Sequence, residues 1–233
     1  MIRIENLSKI YSDGTVALKN ISFQIARGEF ITVLGKSGAG KSTLLRCINR
    51  LVQPSSGKVY ISGEEVLGNN PKQLKKMRRK MGMIFQNYNL VKESSVLTNV
   101  LAGRLGYLSS GASLLGRWSE NDIQSALGHL SDLGLAEKSH SPAGTLSGGQ
   151  SQRVGIARAL MQEPEIILAD EPVASLDPET ARSIMEILRD INQKKGTTLI
   201  CNLHQPALAE EFGTRTLILE NGELIPDEKR KNL

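Results

Sequence analysis

The sequence predicts an α/β fold: a doubly wound core of mostly parallel strands, an antiparallel β lobe ahead of it, and a helical lobe inserted into it. Three observations predict this. Short continuous apolar runs recur at 30–34, 81–85, 166–169 and 198–203, as strands buried on both faces require. Segments of helical period alternate with those runs, the pattern of a parallel sheet covered by helices. The 233 residues are 39% hydrophobic and 23% charged, enough apolar chain to bury a substantial core in one domain.

In chain order, Ile2 and Ile4 alternate with Arg3 and Glu5, and Asp13-Gly14 marks a turn. Ile21, Phe23 and Ile25 then share one side of a period-2 run over 17–26, so both segments predict antiparallel strands. Residues 30–34 predict a buried strand and a helix begins near Lys41. Residues 58–61, ahead of Gly63, predict a further strand, 71–79 a basic helix and 81–85 a buried strand. From Asn87 to about Arg158 the pattern is mostly helical, with Leu127, Leu130, Leu133 and Leu135 spaced for a helix and its exit turn. Strands return at 166–169, 198–203 and 216–219, with a helix over 178–193, and a short, polar, loose tail follows Pro226. The expected organisation is one domain, with 1–86 and 159–233 forming the core and its β lobe and 87–158 the helical lobe.

Composition excludes several classes. No apolar stretch approaches the roughly 20 residues of a membrane span, and the first residues lack the apolar centre of a signal peptide, which predicts a cytosolic protein. Cys47 and Cys201 lie far apart among apolar neighbours and read as buried small hydrophobes rather than a disulfide or metal pair. Part of the formal charge of +5 gathers at Lys72, Lys75, Lys76, Arg78, Arg79 and Lys80. That run predicts a solvated helix face rather than a nucleic-acid contact.

Gly35-Lys36-Ser37-Gly38-Ala39-Gly40-Lys41-Ser42 fits G-x-x-x-x-G-K-[ST] between a predicted buried strand and a predicted helix. The bare pattern arises by chance in a chain this long on the order of one time in a hundred, and the flanking elements lower that further. The expected ligand is ATP with Mg²⁺. Glycines let backbone N–H groups and the helix N-terminus converge on a β-phosphate, Lys41 reaches the β- and γ-phosphates, Ser42 ligates Mg²⁺, and Thr43 adds a phosphate contact. The run 166–169 then delivers Asp170 and Glu171 at the C-terminal edge of a strand, the sheet edge where ligands bind. Successive strand side chains diverge, which divides the work: Asp170 toward Mg²⁺, through water, and Glu171 as the general base that polarises the attacking water.

Leu146-Ser147-Gly148-Gly149-Gln150 precedes Arg153 and an apolar helix, a second helix N-terminus suited to an anion. One ATPase core needs one γ-phosphate site, so the second is most simply explained as serving the nucleotide of a facing copy. At this point the chain resembles the ABC ATPase family over essentially its whole length. The phosphate loop, Leu146 to Gln150, Asp170-Glu171, Ser175-Leu176-Asp177 and His204 occur in that family's order and spacing. The resemblance implies a P-loop NTPase (RecA-like) core. It implies that Tyr11 stacks on adenine, that Gln86 contacts Mg²⁺ or water and senses a membrane subunit, and that Ser147 and Gly149 close on the partner's γ-phosphate. It also implies that Asp177 communicates across the dimer and that His204 holds the γ-phosphate. Read alone, Tyr11 is a strand aromatic, Gln86 a polar strand end and His204 a satisfied histidine near a sheet edge. His129 and His140 read as surface residues. Ser151 stands where many relatives carry glutamine, outside the phosphate-contacting part.

The resemblance further implies two copies closing around two Mg·ATP, separate transmembrane permease subunits, a solute-binding protein acting through them, and a peripheral position on the cytoplasmic face of the inner membrane. The stretch after His204 is too short for an ordinary regulatory domain. Leu101 to Tyr107 with Leu114-Leu115-Gly116, Ala169 to Pro178, and Asn202-Leu203-His204-Gln205 are similar to the phosphonate-importer branch. The apolar residues of 101–118 form either a groove for a coupling helix of the permease or local core. The alternatives are an importer for another solute, or a soluble non-transport ABC ATPase. Proteins of that second kind usually carry two fused cores or a long coiled-coil insertion, and this sequence has neither.

Overall fold

Strand β3 (Phe30–Leu34) and the strands beside it organise the molecule. The computed structural model describes residues 1–66, 70–108 and 116–225. The six-stranded sheet has the order β10 (Glu223–Ile225), β9 (Arg215–Glu220), β3, β8 (Thr198–Leu203), β7 (Ile166–Asp170) and β6 (Met81–Ile84). All neighbours are parallel except the β9–β10 hairpin. A four-stranded antiparallel sheet runs β2 (Val16–Ile25), β1 (Ile2–Ile10), β4 (Ser56–Ile61), β5 (Glu64–Glu65).

The continuous apolar runs are explained by burial on both faces. Ile166, Leu168 and Ile200 face the core shared with helix α1 (Lys41–Ile48) and the antiparallel sheet. Ile167, Ala169, Leu199 and Cys201 face the opposite core, filled by helices from the rest of the chain. Each fully buried Val, Leu or Ile contributes about 1.5–3 kcal/mol against exposure, so neither face tolerates a charge without a partner. Both cysteines are buried and free. Burial pushes the Cys47 thiol up to about 11 and raises Cys201 as well, which leaves them unreactive.

Helices begin where the side-chain chemistry allows. Pro71 opens α2 (Pro71–Arg79), whose cap Asn70 accepts from Gln73 N. Ser95 caps α3 (Val96–Leu101), and Ser119 forms a capping box with Asp122 at α4 (Glu120–Asp132). Ser147 forms a second box with Gln150 at α5 (Gly148–Leu160). Asp177 caps α6 (Pro178–Lys195), which buries Ala181, Ile184, Met185 and Leu188 at helical spacing and stops at left-handed Gly196. Pro206 opens α7 (Pro206–Phe212).

Two expectations need correction. The basic run is only half a solvated face: Lys72, Lys75 and Lys76 are exposed. Arg78, however, donates to the carbonyls of Asn49 and Arg50, and Arg79 donates to Gly106 O and stacks 4.7 Å from the Tyr107 ring. His140 is exposed as expected, but His129 is half-buried and its pKa is lowered, by burial first and then by Lys195. Over 101–108, Leu101 and Gly103 are buried while Leu105 and Tyr107 are exposed, which leaves both the groove and the local-core reading of 101–118 open. Leu114 and Leu115, and the tail from Pro226, lie outside the described residues.

Gly103 sits in a 3-10 turn (Ala102–Tyr107) where an added Cβ would come 2.1 Å from Arg158 O and 2.8 Å from Met161 Cβ. Gly103→Ala is expected to destabilise the protein by about 2 kcal/mol through overpacking. Thermal unfolding would read this as a midpoint lower by roughly 4–8 °C; an unchanged midpoint means the turn relaxes freely.

Candidate functional site

The loop 35–40 leaves the C-terminal end of β3 and turns into α1 through Gly40, whose φ is 103°. A Cβ at Gly40 would lie 2.3 Å from Ala17 O, and one at Gly35 would lie 2.3 Å from Leu219 O. The glycines are therefore demanded by close approach of β2 and β9 as well as by dihedral angle. Lys36, Ser37 and Gly38 are exposed along the crest while Ala39 is buried. Among the described residues no side chain caps α1, and no acidic residue occupies its first turn, which leaves its first N–H groups suited to an anion.

Lys41 is 4% exposed. Its Nζ donates to Gly35 O at 2.8 Å and to Lys36 O at 3.3 Å, and lies 3.5 Å from both Glu171 Oε1 and His204 Nδ1. An ammonium only donates, so Nδ1 accepts and the His204 ring proton lies on Nε2. That atom is 2.6 Å from Glu171 Oε1. Glu171 has a left-handed backbone, φ 51°, a conformation that costs a non-glycine residue about 1 kcal/mol or more. It directs the carboxylate toward Lys41 and His204.

Asp170, one residue earlier, points elsewhere, as strand alternation requires. Its Oδ1 accepts from Ser42 Oγ at 2.7 Å and from Asn202 Nδ2 at 2.9 Å, and its Oδ2 lies 3.5 Å from Arg46. Sequence reasoning assigned no role to Asn202 or Arg46; the signal for Asn202 was an amide inside a mostly apolar strand. Thr43 Oγ1 is 3.2 Å from the hydroxyl of half-buried Tyr11, which brings that ring to the loop.

Gln86 stands apart. It is exposed and lines a groove with Tyr88, Gly148, Ser151 and Ser175, and among the described residues it is not a partner of Ser42 or Asp170. The second glycine motif is likewise separate. Ser147 is exposed at the start of α5, its Oγ accepts from Gln150 N at 3.3 Å, and Gln150 Oε1 accepts from Ser147 N at 3.0 Å. A Cβ at Gly149 would lie 2.6 Å from Thr180 Cγ2, and one at Gly148 would lie 3.1 Å from the Tyr88 hydroxyl. Asp177 caps α6 through Thr180 N at 2.9 Å, and its pKa is lowered by the Thr180 side chain first and then by that backbone bond. Ser147, Gly149, Asp177 and Thr180 line one open groove that no residue of the Lys41 cluster reaches.

A glycine loop feeding an uncapped helix, a buried lysine and two diverging carboxylates at one sheet edge define a P-loop NTPase core. The ABC transporter family model matches residues 18–174. The chain belongs to that family, as one of its ATP-binding cassettes. It is 51% identical to the "Phosphonates import ATP-binding protein PhnC 2" of Halalkalibacterium halodurans, over 97% of this chain and 93% of that protein. It is 52% identical to "Phosphonates import ATP-binding protein PhnC" of Lactobacillus delbrueckii subsp. bulgaricus, over 100% of this chain and 91% of that one. Among solved structures, a dimeric ATP-binding cassette in a post-hydrolysis state bound to ADP and Pi aligns with a TM-score of 0.85 at 37% identity, covering 97% of each chain.

Proposed function

We propose that this chain is the ATP-hydrolysing subunit of a binding-protein-dependent importer for phosphonate or a related phosphorus oxyanion. The observation that carries hydrolysis is Glu171 held between Lys41 and His204, beside a carboxylate already paired with Ser42. The phosphonate reading is supported by the two curated relatives above, each about half identical over nearly the full chain.

The loop from Gly35 to Gly40 and the start of α1 would bind the phosphates, with Lys41 on the β- and γ-oxygens, Thr43 adding a contact and Tyr11 against adenine. Among the described residues no group of three or more His, Cys, Asp or Glu could hold a metal ion by itself. Ser42 and Asp170 nevertheless supply one hydroxyl and one carboxylate within 2.7 Å of each other, the sparse oxygen set Mg²⁺ takes when phosphates and water complete its shell. Mg²⁺ held there would neutralise charge on the β- and γ-phosphate oxygens, and Gln86, which lies apart from Ser42 and Asp170 in the groove with Gly148 and Ser175, would reach it only by moving. Glu171 polarises the attacking water and His204 fixes Glu171 and the γ-phosphate. Catalysis is chiefly positioning and charge stabilisation.

Ser147 and Gly149, with Gly148 and Gln150 behind them, would close on the γ-phosphate of a second copy, and Asp177 would transmit that closure. No helix among the described residues is long and apolar enough to cross a membrane. The reading therefore takes separate permease subunits, a solute-binding protein upstream of them and a place on the cytoplasmic face of the membrane. It takes 1–233 as one domain, with 87–158 as its helical subdomain.

The test is uptake of labelled methylphosphonate and phosphite by phosphate-starved cells carrying the native gene or Glu171→Gln, with an amino acid as control solute. Loss of at least tenfold in uptake of either phosphorus compound, with the control unchanged, is expected from the loss of turnover. Unchanged uptake of both sinks the phosphonate assignment and leaves the ATPase assignment standing.

A further inference from the structure

Strand β8 is buried at all six positions and lies between β3 and β7. Such a strand reads normally as continuous Val, Ile and Leu, and Ile200, on the same face as Asn202, follows that rule. Asn202 breaks it. Its side chain is fully buried, and in register it stands directly opposite Asp170 of β7. Nδ2 donates to Asp170 Oδ1 at 2.9 Å, while Oδ1 of the amide is buried with no partner among the described residues. An orphaned carbonyl oxygen in a core lowers stability relative to an apolar residue of the same size. The amide is thus placed there at a loss to the fold, and the one thing it does is donate to Asp170.

We propose that Asn202 is a positioning residue that fixes the carboxylate of Asp170 for the metal accompanying the nucleotide. The proposal rests on the reading of Asp170 as a Mg²⁺-holding group. The choice of an amide follows from charge. A lysine or arginine opposite Asp170 would also bind the carboxylate, but its charge would offset the attraction for a divalent cation. An aspartate would add a like charge against Asp170 instead of a donor. A neutral N–H donor restrains the carboxylate and leaves its full negative charge for the cation. Ser42 holds the same oxygen from α1, so Asp170 Oδ1 is pinned from two elements, the helix after the phosphate loop and the strand that leads to His204. A shift of β8 therefore moves the metal-holding carboxylate and His204 together.

The experiment uses the full chain with a non-hydrolysable ATP analogue, protein in excess, and Mn²⁺ as the probe, free Mn²⁺ being counted by its electron paramagnetic resonance signal. Analogue binding in EDTA is measured alongside. Asn202→Leu is expected to weaken Mn²⁺ binding about tenfold, the usual scale for loss of a hydrogen-bond partner behind a metal ligand, with analogue binding in EDTA within about twofold of native. Asn202→Thr keeps a hydroxyl donor on a β-branched residue suited to a strand, and is expected to hold Mn²⁺ within about threefold of native. Native Mn²⁺ affinity in Asn202→Leu overturns the proposal. So does an Asn202→Thr protein as weak as Asn202→Leu, or one whose EDTA binding falls in step with its Mn²⁺ binding. Asp170→Asn separates the two levels: if it too keeps native Mn²⁺ affinity, the metal reading itself fails, whereas if it loses Mn²⁺ and Asn202→Leu does not, only the positioning role is lost.

Discussion

Glu171→Gln is expected to bind ATP as the native protein does and to turn it over at least about a hundredfold more slowly, the lower end of what a positioned general base contributes. The substitution is close to isosteric, and glutamine tolerates the left-handed backbone at this position about as well as glutamate. Its amide oxygen still accepts from His204 Nε2, so the imidazole keeps its orientation. On the proposed mechanism two things are lost: the base that polarises water, and the negative charge 3.5 Å from Lys41 Nζ. Removing that charge leaves Lys41 at least as free to meet phosphate, so affinity holds while chemistry stops. Phosphate release together with binding of labelled ATP checks both halves. A variant retaining more than about a tenth of native turnover would move the base function away from Glu171.

How far this site was legible in the sequence differs residue by residue. The phosphate loop was readable because it is local: eight consecutive residues carry both the glycines and the lysine. The strand edges at Asp170 and His204 were readable because the strands before them are buried on both faces and so are mostly apolar, Thr198 and Asn202 excepted. Strand β1 was predicted over 2–5 and runs to Ile10. Asn6 takes φ 48° and the register to β2 shifts between Ile4 and Leu7, so the alternation that marks a strand is broken midway. The short strands β5 and β10 and the seven-residue α7 carry too few residues to show a period. β10 is held in place by β9 and by Lys19 N donating to Gly222 O.

Contacts across long sequence separations were legible only as roles, never as geometry. Ser42 and Asp170 are 128 residues apart and Asp170 and Asn202 are 32 apart. Nothing in the local pattern of 198–203 assigns its one amide to a carboxylate on the next strand. Gln86 shows the opposite case: its place in the motif order suggested a metal contact, while its side chain lies in the groove toward Gly148 and Ser175. That groove also takes in Gly148 of the second glycine motif, so Gln86 shares it with the start of α5.

Mixing two inactive variants, Lys41→Ala and Ser147→Arg, is expected to restore activity that neither has alone. Lys41→Ala removes the buried ammonium that spans Gly35 O, Lys36 O and Glu171, so its own phosphate loop cannot hold a triphosphate. Ser147→Arg leaves that loop intact but loads the exposed start of α5 with a bulky side chain and breaks its capping box, which blocks closure on a facing nucleotide. Because the groove at Ser147 contains no residue of the Lys41 cluster, each variant spares the half of the site that the other lacks. In a mixed dimer one composite site pairs an intact loop with an intact Ser147, and the other pairs both defects. Random exchange of equal amounts makes half the dimers mixed, each with one working site of two, so roughly a quarter of native turnover returns if a single site suffices. If both sites must fire together nothing returns, and equilibrium binding of labelled ATP to the mixture then shows whether the composite site still forms. Activity that stays additive, with no nucleotide held in the mixture beyond that of the separate variants, would mean that Ser147 serves its own chain and that the sandwich arrangement is wrong.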